Sequence, residues 1–226
     1  MRVVIAAAGT AGHINPGIAI ANKIKREEKG SKIIFIGTTR GLENDLVPRA
    51  GYELKTINAY GLSKKISIEN IKKMCKTIKG YGEAKKIISE FKPDIVIGTG
   101  GYICGATISS AHNLKIPTLL HESNAFPGMA IKMLANKTNT ILVSFRDAIP
   151  RIKNCKNVVF TGTPVKIKKK DFNENERNKI HRYNRNSYEF CKNNCKRCNL
   201  CINCICINFF SSIFNYDRNN NIHFCI

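Results

Sequence analysis

The sequence predicts an α/β fold built on a doubly wound, mostly parallel sheet, and three observations carry that prediction. Short apolar runs recur through the first 170 residues, helical patterns lie between most of them, and glycines cluster where the runs end. A parallel strand covered on both faces reads as a continuous apolar run rather than an alternation.

The first run, RVVIAAA (Arg2–Ala8), ends on Gly9. The stretch NPGIAIANKIKREE then places Ile18, Ala21, Ile24 and Lys25 at helical spacing, with Asn15 as N-cap and Pro16 at the first helical position. Further strands are expected at KIIFIG (Lys32–Gly37), ELKTIN (Glu53–Asn58), DIVIGTG (Asp94–Gly100), PTLLH (Pro117–His121), NTILVS (Asn139–Ser144) and NVVFTG (Asn157–Gly162). In such a sheet ligands bind at the carboxyl ends of the strands. The loops there are Gly9-Thr10-Ala11-Gly12-His13, Gly98-Thr99-Gly100-Gly101-Tyr102, His121-Glu122-Ser123-Asn124 and Gly162-Thr163-Pro164-Val165-Lys166, and they are expected to converge on one crevice.

Composition divides the chain into a domain, 1–170, and a tail, 171–226. All 16 Gly and all 7 Pro lie in the first part, whereas the tail has no Gly, Pro, Ala, Val, Thr, Met or Gln. Without turn glycines or small core residues the tail is expected to be irregular or disordered, as a frameshifted, non-native segment would be. It carries seven of the ten cysteines, among them three successive C-x-x-C steps from Cys195 to Cys204. Thiolates at that spacing can converge on zinc or an iron–sulfur cluster, but the missing turns and the absence of a second ligand knuckle argue against a built metal site. No cofactor or metal is expected for the domain.

Thirty-seven Lys and Arg against 16 Asp and Glu give a formal charge of +21, which attracts phosphates or an anionic membrane surface. No RNP-like or zinc-finger pattern accompanies the charge in the first 170 residues, so a nucleic acid is not an expected partner. No apolar run approaches the roughly 18 residues needed to span a bilayer, and the N-terminus opens on a strand pattern, which places the expected protein in the cytoplasm or on a membrane surface. Cys75, Cys104 and Cys155 show no pairing pattern, in keeping with a reducing compartment.

Glycine turns between strand and helix let a backbone approach a phosphate, and two are present. GTAGH is not the dinucleotide fingerprint, and no acidic residue obviously ends the second strand, so nicotinamide binding is disfavoured. His13 fits either a turn residue or a general base accepting a proton from a sugar hydroxyl. His121 fits either a base or a structural hydrogen-bonding group. Asn124 has the donors and acceptor to fix hydroxyls, or serves the turn before its Pro-Gly.

At these residues the sequence resembles a known family. AGTAGHINPGIAIA is similar to the GGTGGHxxPxLAIA signature of MurG-type glycosyltransferases, which add N-acetylglucosamine to lipid I. GTTRGLEND, GTGGYICGA, HESNAFPGMA and GTPVK resemble further family segments in the same order. The resemblance implies the N-terminal, acceptor-binding half of a GT-B enzyme, a Rossmann-like unit that works at the cytoplasmic face of the membrane. It implies inverting transfer from UDP-N-acetylglucosamine to lipid I, with His13 as the base. Thr10, Ala11 and Gly12 would line the donor side of the glycine loop, Asn124 would contact donor sugar hydroxyls, and Lys166 stands where the family has an arginine. Gly100, Gly101 and Tyr102 of the second glycine turn complete the expected substrate-binding set.

Several positions depart from the family pattern. Ala11 replaces a glycine, Lys166 loses the bidentate fork of arginine, and Thr163 and Ala106 replace Asn and Pro. The GGSQGA-like start of the family's C-terminal donor half is expected shortly after GTPVK, where the tail begins instead. Slow or absent sugar transfer is therefore expected of the 226-residue chain. Finally, Ile71, Met74, Ile78 and Tyr81 recur at helical spacing among Lys72, Lys73, Lys76 and Lys79, which fits either an ordinary packed helix or a contact with anionic lipid.

Overall fold

A computed structural model describes residues 1–60 and 68–164, with the backbone alone for 68–76, 214–216 and 222–224. Seven strands follow one another as β1 (Arg2–Ala7), β2 (Lys32–Gly37), β3 (Glu53–Thr56), β4 (Ile95–Gly100), β5 (Thr118–Glu122), β6 (Thr140–Val143) and β7 (Val158–Phe160). Each falls within or overlaps one expected apolar run. Helices α1 (Ala11–Glu27), α2 (Glu43–Arg49), α3 (Ile68–Phe91), α4 (Ile103–Asn113) and α5 (Met129–Leu134) connect most of them.

The sheet order is β3-β2-β1-β4-β5-β6-β7, and every adjacent pair is parallel. Chain direction across the sheet reverses between β1 and β4, which makes the gap above their carboxyl ends the topological switch point. Alternate residues of β1 supply the two cores. Val3, Ile5 and Ala7 join Ile14, Ile18 and Phe35 on one face, while Val4, Ala6 and Ala8 join Ile88, Ile103 and Ile108 on the other. Two apolar layers therefore clamp the sheet and hold its strand ends rigid.

Helix α1 begins earlier than Asn15 and Pro16 predict. Gly9, at φ +94°, turns the chain at once, and the Thr10 carbonyl accepts N–H bonds from His13 and Ile14 at 3.0 and 3.2 Å. Thr10 is thus the N-cap, with extended backbone and no side-chain capping bond, and Pro16 lies inside the helix. Its missing N–H faces the carbonyl of Gly12, an exposed residue that water reaches. The earlier start moves His13 from the connecting loop onto the first helical turn.

The expected apolar stripe on α3 is divided where it is described. Ile78 is 66% exposed, whereas Tyr81 packs on the core, its hydroxyl accepting a 2.6 Å bond from Asn113 Nδ2. The side chains of Ile71, Met74, Lys72, Lys73 and Lys76 lie outside the described residues. In the tail, β8 (Phe214–Tyr216) and β9 (Ile222–Phe224) form a two-stranded antiparallel pair. The rest of the tail, including the C-x-x-C steps, lies outside the described residues, and among those described no cluster of His, Cys, Asp or Glu could hold a metal ion. Among them, too, no helix is long and apolar enough to cross a membrane.

Candidate functional site

A cavity of about 210 Å³ opens above the carboxyl ends of β4 and β5. His13, Gly100, Gly101, Glu122, Asn124 and Met129 are among its lining residues, so the first, fourth and fifth strand-end loops do meet. Thr10, Ala11, Gly12 and Tyr102 lie outside that lining, although the first three precede His13 directly. Thr10 and Gly12 are exposed on the first turn, and Tyr102 is 37% exposed at the start of α4. Lys166 lies outside the described residues.

Three constraints fix His13. Its carbonyl accepts a 2.8 Å hydrogen bond from the Thr99 hydroxyl, which ties α1 to the end of β4. Its helical turn hangs from Thr10. Its imidazole lies against Gly100, where a Cβ would overlap the ring Nδ1. Gly100 sits at φ +131° and Gly101 at φ +83°, conformations that L side chains rarely adopt, and a methyl on Gly101 would come within 2.5 Å of the Ala8 carbonyl oxygen. The second glycine turn thus brings backbone, not side chain, up to the imidazole.

His121 takes the structural alternative. It is 1% exposed, with Nε2 at 3.2 Å from Ser144 Oγ and 3.3 Å from the Gly162 carbonyl oxygen, and Nδ1 at 3.5 Å from Ser123 Oγ. A carbonyl only accepts, so the Nε2–H tautomer satisfies the site, donating to Gly162. Burial pushes the imidazole down to about 4, with a further push from His13, against the opposing pull of Gly162 and Glu122. It is neutral at physiological pH and seals β5 to the chain leaving β7.

Glu122, beside it, shapes the third loop. This carboxylate is 4% exposed, and its Oε1 accepts from both the backbone N–H and the Nδ2 of Asn124, at 2.8 and 2.9 Å. Its Oε2 accepts from the Gly128 N–H at 2.8 Å. Asn124 is therefore held at the cavity with its side-chain carbonyl uncommitted to Glu122. Sequence reasoning singled out Asn124 and missed the acid that orients it, two residues away in the same motif.

A second acid was missed. Glu43, wholly buried, reaches from the start of α2 to the first glycine turn, where Oε2 accepts from the Gly9 N–H at 3.0 Å. No acid ends the second strand itself, since β2 stops at Gly37, but Glu43, six residues on at the start of α2, folds back to the strand end. Its Oε1 accepts from the Thr38 N–H and hydroxyl at 2.9 and 2.7 Å. Burial works to raise its carboxyl, but the bonds from Gly9 and Thr38 outweigh it and hold the carboxyl below the ordinary value.

Cys104 lies behind the cavity, fully buried, and burial pushes its thiol up to about 12. It is no nucleophile. Met129, in the lining, is 60% exposed, and Phe126, Met133 and Phe145 are exposed apolar side chains elsewhere on the surface, with the Arg151 guanidinium stacked 4.5 Å over Phe126.

A fully parallel, doubly wound sheet with an imidazole and two glycine turns at its switch point defines a Rossmann-like ligand-binding unit. The chain belongs to the glycosyltransferase family 28 N-terminal domain family, whose model matches residues 3–143. It is 48% identical over 166 residues to the UDP-N-acetylglucosamine--N-acetylmuramyl-(pentapeptide) pyrophosphoryl-undecaprenol N-acetylglucosamine transferase of Acetivibrio thermocellus, a match covering 74% of this chain and 45% of that protein. The protein of the same name from Clostridioides difficile is 45% identical over 168 residues, covering 74% and 41%. Among solved structures, Acinetobacter baumannii MurG superposes with a TM-score of 0.60 at 26% identity, covering 74% of this chain and 46% of that one. The UDP-GlcNAc 2-epimerase of Neisseria meningitidis shares the fold, with a TM-score of 0.53 at 16% identity, covering 73% of this chain and 47% of that one. The chain spans about half the length of the curated relatives it matches.

Proposed function

We propose that residues 1–170 form the acceptor-binding half of an N-acetylglucosaminyltransferase of peptidoglycan synthesis. The donor is UDP-N-acetylglucosamine and the acceptor lipid I, an undecaprenyl-linked diphosphate sugar, which the enzyme meets as a peripheral protein at the cytoplasmic face of the membrane. The observation that carries this reading is the imidazole of His13 resting against a glycine turn at the switch point, in a chain 48% identical to a protein named for this transfer.

His13 accepts the proton of the acceptor's C4 hydroxyl as that oxygen forms its bond to C1 of N-acetylglucosamine. The C1–oxygen bond to UDP breaks with inversion, and the diphosphate takes the electron pair. Asn124, oriented by Glu122, offers its side-chain carbonyl to a donor hydroxyl. Thr10, Ala11 and Gly12 line the donor side of the first glycine loop, and the backbone of Gly100 and Gly101, with Tyr102 beside them, forms the substrate-facing edge of the second. Lys166, standing where the family has an arginine, supplies a positive charge for a phosphate-bearing substrate.

A second reading is favoured by size. A cavity of about 210 Å³ is smaller than the roughly 300–1,000 Å³ of complete small-molecule sites, as one wall of a two-walled cleft would be. On this reading the 226-residue chain holds the lipid-linked diphosphate without performing transfer. One experiment separates the two. The purified chain is given UDP-[14C]N-acetylglucosamine and lipid I in detergent, and both transfer and lipid I binding are measured alongside H13A. Transfer lost in H13A supports the enzyme; binding without transfer supports the holding module; neither activity refutes both.

A further inference from the structure

We infer that Glu43 is a positioning residue for His13: its carboxylate is the resident anion of the first glycine turn and sets where helix α1 starts. The inference deepens the reading of His13 as the base and rests on it.

The turn is built around this one carboxylate. Three donors reach it from two strand ends: the Gly9 N–H after β1, and the Thr38 N–H and hydroxyl after β2. Two glycines clear its path, since a methyl on Gly37 would lie 2.7 Å from Glu43 Cγ and one on Gly41 would overlap the carboxylate oxygens. Glycine turns of this kind ordinarily present their N–H groups to a phosphate. Here the Gly9 N–H is already taken, so an incoming anion is met by other groups at the switch point.

The link to the imidazole is short. Gly9 is followed by Thr10, whose carbonyl carries the N–H bonds of His13 and Ile14. Glu43 holds the near end of this turn while Thr99 holds the His13 carbonyl from β4. Releasing Gly9 frees one of the two anchors, and the imidazole then loses its fixed seat over Gly100.

The test uses the full 226-residue chain and its E43Q variant, followed by NMR and by carbethoxylation of histidines mapped by mass spectrometry. In the unmodified chain the Gly9 amide proton should shift as Glu43 titrates, with a midpoint below the ordinary carboxyl value of 4.5. In E43Q, exchange of that amide should speed up about tenfold or more, as loss of a charge-assisted hydrogen bond requires. The His13 ring resonances should move and its carbethoxylation rate change severalfold, while the buried His121 stays protected. Unchanged His13 resonances and reactivity in a folded E43Q overturn the inference. Should E43Q fail to fold, the pH titration of the unmodified chain decides, and a Gly9 amide indifferent to pH overturns it. Because these readouts follow the imidazole and not turnover, absence of transfer by the unmodified chain counts against the proposed function alone.

Discussion

The His13 imidazole and the α-carbon of Gly100 occupy adjoining space that no third group could share, since a Cβ on Gly100 would overlap the ring. G100A therefore meets two penalties, an L side chain at φ +131° and a clash with Nδ1. Its expected cost is about 2 kcal/mol or more in urea unfolding, with displacement of the His13 ring resonances. Gly105, nearby on α4, has an ordinary φ and nothing within 4 Å of the place a methyl would take. G105A should stabilise the chain by roughly 0.5–1 kcal/mol, and the opposite signs of the two glycine variants are the check.

Glu122 receives three N–H bonds from the loop that follows it. Replacing it by alanine leaves the Asn124 and Gly128 amides without an acceptor in a partly buried setting, at a cost of roughly 1–3 kcal/mol. Hydrogen exchange at those two amides should rise in E122A while that of β4 and β5 is unaltered. If the proposed function holds, donor affinity falls in the same variant, because Asn124 is no longer aimed at the cavity.

The strands were legible because burial on both faces leaves its mark in adjacent letters: Val3 to Ala8 and Ile33 to Ile36 are buried without a break. The start of α1 was not, because Asn15-Pro16 is a strong local signal overruled by the carbonyl of Thr10, set in place by the turn at Gly9 and by Thr99. Glu43 was invisible for a related reason, since its partner Gly9 lies 34 positions away and no pattern in the sequence joins them. Local chemistry picked out Thr10, Ala11, Gly12 and Tyr102, which do not line the cavity, together with His13, Gly100, Gly101 and Asn124, which do. The acids that orient them act through tertiary contacts, which a sequence records only after the sheet order is known.

Cys104 illustrates the same point in reverse. Its thiol, just past the end of β4, shows no pairing pattern in the sequence, and the structure buries it fully, where it donates to the Gly100 carbonyl at 3.4 Å. With burial pushing it up to about 12, it carries essentially no thiolate in mildly alkaline buffer. Alkylation at about pH 8, mapped by peptide mass spectrometry, should leave Cys104 unmodified in the folded chain and label it in roughly 6 M guanidinium, enough to unfold most domains.

His121 makes stability depend on pH in a window set by burial. Its ordinary value is 6.5, and in the folded chain it is held at about 4. Between those values the unfolded chain binds a proton that the folded imidazole refuses, so stability falls as pH drops from 6.5 toward 4, by up to roughly 3 kcal/mol. Glu43, held below its own ordinary value of 4.5, adds a loss of the same sign only from about that pH downward. The two contributions therefore separate along the pH axis. Urea unfolding at closely spaced pH values should show the steep limb between 6.5 and 4 in the unmodified chain. H121Q has no imidazole to titrate, and the same limb should flatten, even though the variant is less stable at neutral pH for want of the Gly162 and Ser144 bonds. A limb of unchanged slope in H121Q would assign the acid sensitivity to other groups and remove His121 as its source.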